Sequence, residues 1–263
     1  MKINGLHPYV LLAALVALGG YYYYAKKQAV PQKTIYTFMG APGTGKGTLA
    51  DKAIQNLDVT SLSTGNLLRE AVAKGDEFGK KVESYMKQGA LVPDEIITSI
   101  VEKWLDTNLA TIDNLILDGY PRTAKQAHML IEMLNKKFPN VSLRVIEITV
   151  PDEVIIKRLA DRLVCEKCQT PYARRRLKDP KRLICDNCGG NLILREDDKP
   201  ETVRERLKVY AQTANPMRDV YKQTGITINT ITGEDKNPEQ LFEAFYTLIG
   251  KPAKKYKTAQ LPA

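Results

Sequence analysis

Residues 34–57 read "TIYTFMGAPGTGKGTLADKAIQNL", and three kinds of segment follow one another in them. Thr34 to Gly40 is β-branched and aromatic, the composition of a strand. Gly40 to Thr48, "GAPGTGKGT", is a glycine-rich loop, and beyond it the apolar residues recur with a helical period. Strand, loop and helix in that order are the context that a phosphate-binding loop needs. The glycines let successive backbone N–H groups turn inward around an anion, the helix N-terminus adds its positive end, and Lys46 can reach β- and γ-phosphates. A plain glycine-rich turn would require neither the lysine nor the helix. Gly43, Thr44, Gly45, Lys46, Gly47 and Thr48 are the candidate phosphate contacts. The hydroxyl stands one place later than in the generic pattern, at Thr48, so the Mg²⁺ role of a residue directly after the lysine does not pass to Gly47.

Outward from this loop, further β-rich runs stand at "NLILDGY" (114–120), "LRVIEITV" (143–150) and "ITINTI" (226–231). Helical patterns separate them: "AKQAHMLIEMLNKKF", "PDEVIIKRLADRL" and "PETVRERLKVYAQTANPMRDVYKQTG". Strands alternating with helices predict an α/β fold, a central parallel sheet flanked by helices, with the binding site at the carboxyl ends of the strands. The pattern breaks after Leu163 and resumes near Pro200. No internal repeat is visible.

The chain has 263 residues, enough for a sizeable core, and 39 Lys+Arg against 30 Asp+Glu give a net charge of +9. That balance suits an anionic partner: nucleic acid, a membrane surface or a phosphorylated small molecule. All four cysteines fall within "VCEKCQTPYARRRLKDPKRLICDNC" (164–188), so none staples the rest of the fold. Cys165, Cys168, Cys185 and Cys188 form two Cys-x-x-Cys pairs with the spacing of a tetrahedral zinc site. The spacing is silent on purpose: the basic residues between the pairs could bind nucleic acid, and a disulfide framework is the remaining alternative. Before the globular pattern, an uncharged run from Tyr9 to Ala25 precedes Lys26 and Lys27. It is expected to be an uncleaved membrane anchor rather than a signal peptide, because four tyrosines, Tyr21 to Tyr24, occupy the place of small cleavage-site residues. The flanking lysines put the globular part on the cytoplasmic side; a soluble or an exported chain are the alternatives.

Six motifs occur in order: "GAPGTGKGT", "LSTGNLLR" (62–69), "GALVPDEI" (89–96), "LDGYPRT" (117–123), "VPDEVIIKRLADR" (150–162) and "REDDKPETVRERL" (195–207). Together they resemble an adenylate kinase of the long-lid type, over residues 34 to about 248. The resemblance implies a P-loop kinase with an inserted zinc-ribbon-like lid at 163–199 and a small helical AMP-binding segment at 63–92. Residues 1–33 form the anchor and linker, and 249–263 a basic tail. The implied reaction is reversible phosphoryl transfer from ATP to AMP with Mg²⁺, in a monomeric catalytic domain for which no nucleic-acid partner is expected.

Such chemistry needs aligned substrates and dispersed charge more than covalent help. The resemblance assigns Arg69 and Arg122 to the monophosphate, Arg158 and Arg162 to the triphosphate, and Arg195 and Arg206 to closure over both, with Asp197 and Asp198 pairing with arginines. Asp118, ending an apolar strand, is placed to orient water on Mg²⁺. Thr64 and Gln126 are implied to contact adenine, where pyrimidine-specific relatives usually carry Ala and Asn; a CMP or UMP acceptor is the alternative. Ala90, Leu91, Val92, Gly119, Tyr120 and Pro121 would complete the AMP pocket. Tyr172 is the candidate for stacking on the donor base, with Ala173 standing where relatives often have His. Within this frame the four cysteines hold a structural Zn²⁺, in place of a core too small to fold alone.

Overall fold

A computed structural model describes residues 33–250 except Asp76, Lys178 and Pro180. The expected anchor at 9–25 and the tail beyond residue 250 lie outside the described residues. Among those described, no helix is long and apolar enough to cross a membrane. The chain runs through β1 (Lys33–Met39), α1 (Lys46–Asn56), β2 (Thr60–Ser63), α2 (Thr64–Lys74), α3 (Glu77–Lys87), α4 (Asp94–Asn108), β3 (Asn114–Asp118) and α5 (Ala124–Lys137). It continues through β4 (Val141–Thr149), α6 (Asp152–Ala160), β5 (Arg162–Cys165), β6 (Pro171–Ala173), β7 (Leu192–Ile193), α7 (Pro200–Gln223), β8 (Ile228–Thr232) and α8 (Pro238–Leu248).

Five parallel strands form the sheet in the order β2-β3-β1-β4-β8. Successive residues of a strand face opposite sides, so one run of apolar residues feeds two cores. Ile35, Leu115 and Leu117 pack with Val101 and Leu105 of α4 and Leu130 of α5 on one face. On the other, Tyr36, Phe38, Ile116 and Ile146 meet Leu49 and Ala53 of α1 and Phe242 and Phe245 of α8. Phe245 stands edge-on to both Tyr36 and Phe38, at centroid distances of 5.6 and 5.5 Å. The chain passes from one side of β1 to the other between β3 and β4, which opens a crevice at the carboxyl ends of the strands.

One boundary differs from the sequence expectation. The helical period of "PDEVIIKRLADRL" continues to Leu163, yet α6 ends at Ala160. Asp161 instead accepts from the backbone N–H groups of Arg174 (2.8 Å) and Arg175 (3.1 Å), and Arg162 and Leu163 pair with Ala173 and Tyr172. Pairing across a lid hairpin overrides the local period. β2, α4 and α8 are not among the elements expected from the sequence; β2 has four residues and takes its strand form from pairing with β3. The lid itself is a small antiparallel sheet, β6-β5-β7. Its buried core consists of Leu163, Cys165, Cys185 and Leu192.

Candidate active site

The loop between β1 and α1 is shaped by its glycines. Gly43 and Gly45 have φ of 86° and 102°, in the range that L side chains avoid, and a Cβ on Gly43 would lie 2.9 Å from Leu159. Gly45 caps α1 with no side-chain hydrogen bond, so no side chain competes for the amides of the first helical turn. Lys46 Nζ donates to the carbonyls of Gly40 (2.7 Å) and Ala41 (2.8 Å). Desolvation among the surrounding groups pulls its ammonium down to about 7, against the opposing pull of the Asp118 carboxylate. The Thr44 hydroxyl donates to Ala41 O at 3.0 Å and braces the turn.

The loop forms one wall of a cleft of about 890 Å³. Residues 43–48, Arg158, Arg162 and Tyr172 line it, together with Thr64, Arg69, Ala90, Leu91, Val92, Gly119, Pro121, Arg122 and Gln126. Asp118, Arg195 and Arg206 line the same space. Six motifs scattered over the chain thus converge on one space. Tyr120 is the exception among the expected contacts: its ring is fully buried in the core, packed in the apolar cluster beside β3, with its hydroxyl bonded to Thr98 Oγ1 at 2.9 Å.

Each arginine is held by a neighbour. Arg158 donates to Gly233 O and Glu234 O, both at 2.8 Å, and Arg122 Nε to Gly119 O at 2.8 Å. Asp197 grips Arg195 at 2.9 and 2.8 Å and also lies 3.1 Å from Arg206, while Asp198 accepts from Arg162 Nε at 2.7 Å. The expected pairing of these two aspartates is therefore present. Burial alone would raise the Asp197 pKa, but Arg206 and Arg195 hold it well below the carboxylate range. Burial lowers Arg69 to about 9 and Arg206 to about 10. A cleft that depresses its cations in this way favours a polyanion.

The base-reading candidates are partly committed. Thr64 is buried and donates its proton to Gly119 O at 2.9 Å, so toward anything else it can only accept. Gln126 accepts from Arg122 N at 2.7 Å and donates to Asp94 Oδ1 at 2.7 Å, which leaves one N–H and one lone pair. Asp118 accepts from Ser63 Oγ at 3.5 Å, and a Cβ on Gly47 would stand 3.5 Å from its carboxylate. The absent side chain at 47 keeps that carboxylate open to the cleft, alongside Thr48.

In the lid, the four cysteine sulfurs lie within 4.8 Å of one another, with Cys165–Cys188 at 3.4 Å and Cys168–Cys185 at 3.6 Å. Thiolates about 2.3 Å from a shared tetrahedral ion stand about 3.8 Å apart, so the set fits zinc. None of the four is in a disulfide. The Tyr172 hydroxyl lies 3.3 Å from Cys185 Sγ and accepts from Asp186 N at 2.9 Å, which fixes the ring between cleft and cysteine cluster. Of the described basic residues between the cysteine pairs, Arg174, Arg175, Arg176, Lys181 and Arg182 are all exposed, and of these Arg175 and Arg176 line the cleft. Sequence reasoning treated them alike, since only the hairpin's direction separates them. It also missed Asp51, Lys236 and Gln169, which line the cleft from positions with no spacing signal.

A family model described as adenylate kinase matches residues 38–226. An adenylate kinase of Archaeoglobus fulgidus is 45% identical over 192 residues, covering 72% of this chain and 86% of the relative. That of Fervidobacterium nodosum is 38% identical over 218 residues, covering 83% and 98%. That of Kosmotoga olearia is 40% identical over 207 residues, covering 78% and 95%. With the motifs gathered on one cleft and this extent of similarity, the chain belongs to the adenylate kinase family.

Proposed function

We propose that the chain catalyses reversible transfer of the γ-phosphoryl group of ATP to AMP, giving two ADP. The observation that carries this reading is that the phosphate loop, Arg69, Arg122, Arg195 and Arg206 all line one cleft. Two anions can be held there with their phosphates in line. A phosphate oxygen of AMP attacks the γ-phosphorus, the bond to the β–γ bridging oxygen breaks, and ADP leaves with that electron pair. No protein base is needed, because the attacking oxygen is already anionic. Lys46, Arg158 and Arg162 hold the donor; Arg195 and Arg206, braced by Asp197 and Asp198, meet the charge that spreads over the moving group. Asp118, with Thr48 nearby, would hold Mg²⁺ through its waters, and the ion supplies charge neutralisation between the β- and γ-phosphates when bound.

On the acceptor side, Thr64 can only accept a hydrogen bond, which suits an exocyclic amino group such as that of adenine and disfavours a carbonyl at the same place. Gln126, Ala90, Leu91, Val92, Gly119 and Pro121 surround that base and its phosphate, and Tyr172 flanks the donor nucleotide. Cys165, Cys168, Cys185 and Cys188 would hold a structural Zn²⁺, giving the lid the rigidity that its four-residue core does not supply. The family match begins at residue 38, downstream of the apolar run at 9–25, which we read as an anchor holding the kinase at the cytoplasmic face of a membrane.

With ATP as donor, AMP is expected to be phosphorylated faster than CMP, UMP or GMP, and Lys46→Met to lower kcat about 10²–10³-fold; equal rates for UMP and AMP, or an active Lys46→Met enzyme, would overturn the reading. The Lys46 ammonium titrates near 7 without ligand, and a bound triphosphate favours its charged form. At pH 8–9, where free ATP is fully ionised, ATP binding should therefore take up close to one proton, and affinity should rise as pH falls toward 7. Calorimetry in buffers of different ionisation enthalpy measures this uptake, and Lys46→Arg should abolish it. Zinc analysis of reduced protein should give about one ion per chain, and a chelator that strips it should lower Tm; a metal-free chain of unchanged Tm would exclude the structural role. On fractionation of expressing cells, the full chain should sediment with membranes and a chain starting at residue 31 should not. Recovery of both in the soluble fraction would rule out the anchor.

A further inference from the structure

Gln169 follows the second cysteine of the first Cys-x-x-Cys pair and is the one non-glycine residue at positive φ, 59°, among those described. Glycine is the residue that such a turn accepts without strain. A glutamine held there raises the question of what its side chain does. Its Nε2 is turned toward the carbonyls of Cys165 (3.4 Å) and Glu166 (3.3 Å), within its own turn. Its backbone N–H donates to Cys165 O at 3.0 Å, so the residue is clamped to the cysteine knuckle at both ends. The remaining group, Oε1, points out of the lid and accepts from Arg69 Nε on α2, at 3.2 Å.

That bond joins the lid to the acceptor-binding segment directly, between residues 100 apart in the chain. Arg69 Nη2 donates to Asn66 Oδ1 on its own helix. Two neutral acceptors, one from α2 and one from the lid, therefore fix the guanidinium plane and leave its Nη1 hydrogens free toward the cleft. Neutrality matters here. A carboxylate in either place would orient the arginine equally well and cancel the charge that a phosphate requires.

We propose that Gln169 is a positioning residue for the acceptor nucleotide. Carried by the metal knuckle, it orients Arg69 when the lid is over the cleft, so that closure over the donor completes the monophosphate site. This inference rests on the reading of Arg69 as an acceptor-phosphate contact. It makes the cysteine knuckle part of acceptor binding and not only a stiffener of the lid.

The test is steady-state kinetics of the full chain with separate ATP and AMP titrations. Gln169→Gly removes the side chain and suits the left-handed backbone, so its Tm and zinc content should equal or exceed those of the parent. Its KM for AMP should rise about three- to tenfold, the worth of one ordinary hydrogen bond, with the KM for ATP moving less than about twofold. Gln169→Glu should raise the KM for AMP further than Gln169→Gly. In an Arg69→Lys background, which lacks the Nε donor, Gln169→Gly should have no additional effect. An unchanged KM for AMP in Gln169→Gly, an equal rise for both nucleotides, or an undiminished effect in the Arg69→Lys background would overturn the proposal. A parent chain that transfers no phosphoryl group from ATP to AMP would instead overturn the reading of the reaction itself.

Discussion

The structure depends on keeping mutually repelling cations around one cleft. Lys46, Arg69, Arg122, Arg158, Arg162, Arg195 and Arg206 all line it. Such a concentration would loosen the fold unless each charge were placed by a partner that leaves it usable. The partners are of three kinds, the first being the side-chain amides of Asn66 and Gln169, which take Arg69. Backbone carbonyls take Lys46, Arg122 and Arg158, which orients them without a neutralising counter-ion. The carboxylates of Asp197 and Asp198 take Arg195, Arg162 and Arg206, where the lid rejoins the body and the density of positive charge is greatest. Partial neutralisation there makes the crossing point tolerable without ligand.

Backbone geometry supplies the second half of the site. The phosphate loop lies at the carboxyl end of the central strand, and its open amides at the start of α1 belong to a helix that is otherwise well packed against α8. A rigid two-faced core beneath and a cap-free helix end above give an anion site whose donors need no reorganisation. The same core explains Tyr120. Its neighbours Gly119, Pro121 and Arg122 face the cleft, while its ring anchors the strand end in the apolar cluster below.

The lid shows the opposite economy. It buries too few apolar side chains to stand alone, and half of its buried core is cysteine. A four-cysteine knuckle whose sulfurs lie within 4.8 Å of one another ties this short insertion together, and the insertion brings Tyr172, Arg175, Arg176 and Gln169 to the cleft. Basic residues that suggest a nucleic-acid footprint in the linear sequence divide, once folded, into a cleft-facing pair and a solvated remainder.

Much of the fold and most of the site were legible in the linear order of residues. The strand, glycine loop and lysine at 34–46, the alternation of β-rich and helical runs, and the paired cysteines are local patterns, and local patterns follow from backbone sterics and periodicity. Almost every residue that the family resemblance placed at the cleft lines it, because those residues sit within the six ordered motifs that carry the resemblance. The tertiary structure alone decided the rest: where α6 gives way to β5, that four residues at 60–63 become a strand, that Tyr120 turns inward, and that Gln169 meets Arg69. In each case the deciding partner lies far away in sequence, and a contact between distant residues leaves no periodic trace in either segment.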